Sequence, residues 1–194
     1  MAARLEPLFG QRAPDIAERL IRGFGSLGRA LAASVEQLTH ALDSDRDAAD
    51  AIVAARQLVE AALHEQISRE PVRATSAGYR AYLGHTIGSR TEECLHVTFV
   101  TSDLGYLGDE ILARGNQGQV SASLRQMVRR ALDLGAAGVI LAHNHPSGSV
   151  SPSAGDIALT RSITAILQAL DICLLDHLVV SRDAAVSMRE RGLI

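Results

Sequence analysis

A chain of 194 residues with 47% apolar and 21% charged residues can close a hydrophobic core, and no part of it has the composition of a long disordered tail. All 19 basic residues are arginine, which excludes a lysine nucleophile or Schiff base, and a net charge of -3 split between both halves lacks the broad basic footprint of a dedicated nucleic-acid binder. No window approaches the roughly 18 uninterrupted apolar residues of a membrane span, and the opening residues lack an apolar signal core, so a cytoplasmic location without membrane association is expected.

Residues 1 to about 70 are rich in alanine and leucine, with apolar positions at helical spacing in three blocks, roughly 14 to 32, 34 to 42 and 46 to 67. They predict a small all-α bundle. No glycine occurs between Gly28 and Gly78, so its connections rely on polar residues such as Asp43-Ser44-Asp45, and Asp45 or Asp47 suits the N-cap of the third helix. The pattern loosens around Pro71, which sets the domain boundary near residue 70 and leaves 71–194 as a second domain. There, a short helix near 76 to 87 leads into two strands, Cys94 to Val100 and Tyr106 to Arg114, joined by a turn at Asp103-Leu104-Gly105. Ser121 to Leu134 has helical periodicity, with Ser121 as N-cap and Gly135 as stop. Ala137 to Ala142 is an apolar run of strand length. After the loop 143 to 151, Ser151 as N-cap and Pro152 in the first turn start a helix to about Leu170, and Leu174 to Val180 returns as a buried strand. This order gives an α/β (α+β mixed) domain, a mixed sheet flanked by helices.

The chemistry concentrates in His143-Asn144-His145-Pro146-Ser147-Gly148, followed by Ser153 and Asp156. Side chains two apart in an extended segment point the same way, so His143 and His145 can offer both imidazoles to one ion. Pro146 stops the strand, and a glycine-containing loop returns the chain so that the first turn of the next helix supplies Asp156. Two neutral imidazoles and a carboxylate suit Zn²⁺, and three protein ligands with a fourth position open mark a catalytic site. Such an ion lowers the pKa of bound water to about 7, which makes hydrolysis the expected reaction class. The general base has to come from outside the ligand loop. Glu93 is the candidate: it is in phase with Leu95, Val97 and Phe99 and is expected on the apolar side of its strand, with Glu92 as the competing choice.

The order upstream Glu, His-x-His-Pro, six residues, Ser, two residues, Asp resembles the JAMM metalloprotease motif, also called MPN-plus, at every position from His143 to Asp156. The flanking residues narrow the likeness to the bacterial RadC family: an alanine-rich helix before His-Asn-His-Pro-Ser-Gly, the Pro152 to Asp156 helix start, Leu175-Asp176-His177, and the closing Ser187 and Gly192-Leu193-Ile194. The resemblance covers residues 90 to 194. It implies a cytidine-deaminase-like JAMM/MPN core in which His143, His145 and Asp156 bind zinc, Ser153 steadies the tetrahedral intermediate and Glu93 shuttles the proton. It also implies a peptide or protein substrate and a peptidase or isopeptidase reaction. In the N-terminal part, Phe24-Gly25-Ser26-Leu27-Gly28 is similar to the family, but residues 40 to 50 hold none of the hairpin glycines of its helix-hairpin-helix element. A backbone grip on DNA phosphates, and with it direct nucleic-acid binding, is thereby placed in doubt.

Other residues carry plainer readings. Ser153 also suits helix capping, and Asp176-His177 on a buried strand reads as structural rather than as extra ligands or a relay. Arg125, Arg129 and Arg130 share one helix and read as a solvated face, while His40, His64, His85 and His96 have no ligating spacing. The competing function is a DNA-repair-associated accessory protein with a structural or vestigial zinc site, and homo-oligomerisation stays open.

Overall fold

The computed structural model describes residues 1–114 and 120–194, and of residues 113, 114 and 120–123 the backbone alone. These residues form two compact units, Met1–Ala62 and Leu63–Ile194.

The first unit is all helical: α1 (Ala2–Phe9), a single 3₁₀ turn (Gly10–Arg12), α2 (Ala13–Phe24), α3 (Leu27–Ala32), α4 (Val35–Ala41) and the first part of α5 (Arg46–Arg69). In α2 the buried positions Ala13, Ile16, Ala17 and Leu20 follow the spacing of one helix face, and they pack with Leu5, Leu38, Leu42 and Ile52. The apolar block 14 to 32 is two helices rather than one. Gly25 turns left-handed at φ 75°, its N–H closes on Ile21, and the Ser26 hydroxyl then caps α3 by accepting from Arg29 N–H. α1 has no counterpart in the sequence expectations. As expected, polar residues make the turn before α5: Asp43 and Ser44 take positive φ, and the Asp45 carboxylate accepts from Ala48 N–H at 3.0 Å.

The second unit holds a five-stranded mixed sheet in the order β2-β1-β3-β4-β5, with β1 spanning Cys94–Val100, β2 Tyr106–Arg114, β3 Gly138–Asn144, β4 Cys173–Val180 and β5 Ala185–Ser187. This is the mixed α/β architecture expected. β3 is central, antiparallel to β1 and parallel to β4, and every residue in it is buried, which is why residues 138–142 read as an unbroken apolar run. Helix α6 (Ala77–Thr86) covers one face, where Tyr79, Leu83 and Ile87 meet Ile140, Ala142 and Leu178. Helices α7 (Val120–Leu134) and α8 (Ala154–Gln168) cover the other, where Met127, Ala131, Ile163 and Leu167 meet Val97, Phe99, Val139 and Leu141. The Ser121 cap expected for α7 lies outside the described side chains.

Two expectations about these elements are corrected. α8 begins at Ala154 with Ser153 as its N-cap, not at Ser151, because Ser153 finds a reciprocal partner three residues on in Asp156 and Ser151 has none. Glu93 is not on the apolar side of β1: the strand begins at Cys94 and Glu93 precedes it, exposed.

On the α6 face, Asp109 of β2 accepts from the Tyr82 hydroxyl at 2.5 Å, from Tyr106, and pairs with His96 Nε2 at 2.6 Å. Burial alone would raise this carboxyl, but the bond and charge of His96 and the two tyrosine hydroxyls outweigh it and bring it down to about 2. His64 joins the edge of the group through Tyr106 at 2.8 Å. His64 and His96 thus belong to a structural cluster on the opposite face from the candidate ligands.

Candidate metal centre

β3 and β4 run parallel with α8 crossing between them, and the candidate site lies where β3 ends and α8 begins. The alternation of β3 that sets Val139 and Leu141 against α7 and α8 also turns His143 to that face. His145 follows by the same parity. Gly148 takes φ 77°, which a side chain would strain, and its N–H closes a turn on the His145 carbonyl at 2.8 Å. The chain then enters α8 through a capping box: Asp156 N–H donates to Ser153 Oγ at 3.1 Å, and Ser153 N–H donates to Asp156 Oδ2 at 2.6 Å. This box fixes the carboxylate while leaving it turned on the histidines.

One ligand atom from each of His143, His145 and Asp156 falls within a common 4.8 Å. His143 Nε2 and His145 Nε2 are 3.0 Å apart. Asp156 Oδ1 lies 3.4 Å from the first and Oδ2 3.4 Å from the second. Ligand atoms of a tetrahedral zinc site, at bonds of about 2.0–2.1 Å, stand about 3.3 Å from one another. The donor set suits that ion, and the shortest separations lie near its spacing, each histidine meeting a different oxygen of the carboxylate. His145 Nδ1 sits 3.1 Å from the Ser149 carbonyl, which only accepts, so that nitrogen holds the proton and Nε2 presents its lone pair to the group. Burial alone would raise the Asp156 carboxyl, yet the adjoining His143 ring and hydrogen bonding from Ser153 hold it well below the usual carboxylate range. It is a carboxylate at any physiological pH.

Asn144, between the two histidines, is fully buried and points to the other side of β3. Its Oδ1 accepts from Cys94 N–H at 2.8 Å, and its amide nitrogen donates to the carbonyls of Glu92 at 3.0 Å and Arg90 at 3.2 Å. One side chain thus ties down the segment that carries Glu92 and Glu93. Leu95 pairs with His143 across β1 and β3, and Glu93 lies two residues before it, just ahead of the strand's first residue. Ser153 is exposed, and beyond the cap bond its hydroxyl proton has no acceptor among the described residues.

The Asp176-His177 pair divides between the two faces of β4. Asp176 accepts from His177 N–H, Arg189 N–H and the Ser187 hydroxyl, at 2.7, 3.2 and 2.6 Å, and ties β4 to β5 and the turn after it. His177 instead reaches the candidate centre, with Nε2 2.8 Å from His143 Nδ1 and Nδ1 2.6 Å from the Thr160 hydroxyl of α8. Burial, with the neighbouring His143 adding to it, pushes His177 down to about 3, so the ring is neutral. Sequence reasoning placed no weight on Thr160 and left His177 structural. Of the arginines on α7, Arg130 pairs with Glu110 at 2.9 Å and Arg129 approaches Asp133 at 3.8 Å.

Among the described residues no helix is long and apolar enough to cross a membrane. Residues 74–193 match the family model described as RadC-like JAB domain. Relatives along most of the chain are UPF0758 proteins. That of Methylibium petroleiphilum is 35% identical over 187 residues, 96% of this chain and 84% of the relative. That of Polaromonas sp. is 36% identical over 185 residues, 95% and 83% of the two chains. One from Acidovorax sp. is 38% identical over 172 residues, 89% and 72%. A match of that extent, on a mixed α/β fold with the His-x-His-Pro and Ser-x-x-Asp segments folded together, means that the chain belongs to the RadC-like JAB domain family.

Proposed function

We propose that this protein is a zinc-dependent hydrolase acting on peptide or isopeptide bonds, with His143, His145 and Asp156 as the metal ligands. The observation that carries the reading is the close approach of two imidazole nitrogens, 3.0 Å apart and each 3.4 Å from one oxygen of the Asp156 carboxylate, at the C-terminal end of β3. Acceptors gathered so tightly repel one another unless a cation sits among them. When bound there, zinc acidifies a water and polarises a carbonyl group. Glu93, whose chain neighbours Glu92 and Cys94 are tied down by Asn144, accepts the proton that the attacking water gives up and passes it to the departing amine nitrogen as the carbonyl C–N bond breaks. Ser153 orients the substrate by donating its uncommitted hydroxyl proton to the carbonyl oxygen.

The test begins with elemental analysis of the purified full chain, where about one zinc per chain is expected and His143→Ala and Asp156→Ala lose it. A peptide-library cleavage screen with and without chelator follows. Glu93→Gln is expected to keep the metal and lose cleavage, whereas Glu92→Gln keeps both. Absence of bound zinc, or cleavage that survives both chelation and His143→Ala, would overturn the reading.

A further inference from the structure

The protein's own hydrogen bonds determine which nitrogen of His143 is free to bind a metal. The chain of reasoning starts at the Asp156 backbone carbonyl, which can only accept. Thr160 Oγ1 is 2.5 Å from it, so the threonine hydroxyl proton lies on that contact. Donating to His177 Nδ1 instead would leave two oxygens 2.5 Å apart with no proton between them, and the remaining acceptor, Met188 Sδ, is 3.9 Å away and poor. With its proton committed, Thr160 can only accept from His177 Nδ1, 2.6 Å away, so that nitrogen is protonated. His177 is buried and neither of its ring nitrogens meets a carboxylate, so the ring carries one N–H, which leaves Nε2 bare. His177 Nε2 must therefore accept from His143 Nδ1 at 2.8 Å. His143 is left with its lone pair on Nε2, the atom that faces His145 Nε2 at 3.0 Å and Asp156 Oδ1 at 3.4 Å.

We infer that Thr160 and His177 are positioning residues that lock His143 into the tautomer able to bind metal through Nε2, an inference that rests on the zinc reading above. The device is closed on itself: it begins at the backbone of one proposed ligand, Asp156, and ends at the ring of another. Outer hydrogen bonds of this kind orient a ligating imidazole, and losing them typically costs 10- to 100-fold in metal affinity. Without the threonine hydroxyl, His177 Nδ1 loses its acceptor and the ring is free to carry its proton on Nε2 instead. That proton would then point at His143 Nδ1 and drive the His143 proton onto Nε2, where it blocks the metal.

The experiment uses the full chain as wild type, Thr160→Val, Thr160→Ser and His177→Phe. Zinc affinity is measured by competition with a chromophoric chelator, and imidazole tautomers by ¹⁵N–¹H correlation on the zinc-free proteins. Thr160→Val, which keeps the shape and removes the hydroxyl, is expected to weaken zinc at least about 10-fold, with Thr160→Ser restoring affinity to within about threefold of wild type. In the zinc-free wild type, His143 is expected to be protonated on Nδ1 and bare on Nε2, and Thr160→Val to lose that preference. Equal zinc affinity in wild type and Thr160→Val, or a wild-type His143 protonated on Nε2, would overturn the inference. If the wild type binds no zinc, the functional reading fails, and the tautomer measurement still decides this one.

Discussion

Replacing Asn144 with alanine removes three hydrogen bonds made by one fully buried side chain, to Cys94 N–H, Glu92 carbonyl and Arg90 carbonyl. Cys94 is itself buried, so its N–H cannot exchange that acceptor for bulk water, a loss of about 1–3 kcal/mol. The two carbonyls belong to a segment at the surface and regain water, at about 0.5 kcal/mol each. The sum is about 3 kcal/mol. At about 2.1 cal/mol/K of unfolding entropy per residue, a unit the size of Leu63–Ile194 then melts about 10 °C lower. The assay is direct because all three tyrosines, Tyr79, Tyr82 and Tyr106, lie in that unit and the chain has no tryptophan, so a tyrosine-fluorescence melt reports it alone. Asn144→Asp sharpens the test. It keeps an acceptor for Cys94 N–H but sets a carboxylate against two carbonyl oxygens, so it should melt below Asn144→Ala at neutral pH and regain stability as the acid protonates. A drop of under about 3 °C for Asn144→Ala would show that the segment before β1 does not depend on this residue.

Three further outcomes follow from the packing and charge. A Cβ added at Gly88 would stand 2.5 Å from the Ser181 carbonyl group and 2.6 Å from the Gly84 carbonyl oxygen, so Gly88→Ala should cost about 3 kcal/mol in urea unfolding. Gly78→Ala meets only the movable Gln66 side chain at 3.3 Å and lies in α6, so it should be neutral or gain about 0.5 kcal/mol. Equal losses at the two sites would refute the packing argument. Because the Asp109 carboxyl sits at about 2 instead of its ordinary 3.8, its stabilisation is present above pH 4 and lost as pH falls toward 2, about 2 kcal/mol in all. Unfolding free energies between pH 2 and 5 should fall with acid in wild type and flatten over that window in Asp109→Asn, and parallel curves would exclude this carboxylate as the source.

The proposed ligands were legible because they crowd into fourteen consecutive positions, where strand parity and a helix start suffice to bring them together. Strand periodicity similarly gave β1, β2 and β4 to within a residue. What escaped has identifiable causes. α1 contains Pro7, which breaks the expected pattern of a helix. β5 is three residues long, too short to show alternation, and exists through its pairing with β4. The α8 cap was shifted because Ser151 and Ser153 are equally good caps in isolation, and only Asp156 distinguishes them. Glu93 follows the phase of β1 but lies beyond its end, where phase no longer implies burial. His177 meets His143 through the β3–β4 register, which is irregular between Val139 and Ile140, and no local pattern encodes such a pairing.

The reciprocal bond between Ser153 and Asp156 also bears on how relatives of this chain should be compared. Since Asp156 closes the first turn of α8 whether or not an ion is present, selection for a well-formed helix start would retain an aspartate there even in a lineage that had abandoned metal. Retention of that position is therefore a poor witness to zinc chemistry. His145 serves no such architectural duty, since apart from the other two proposed ligands its ring meets only its own loop among the described residues, and its loss would first betray the change.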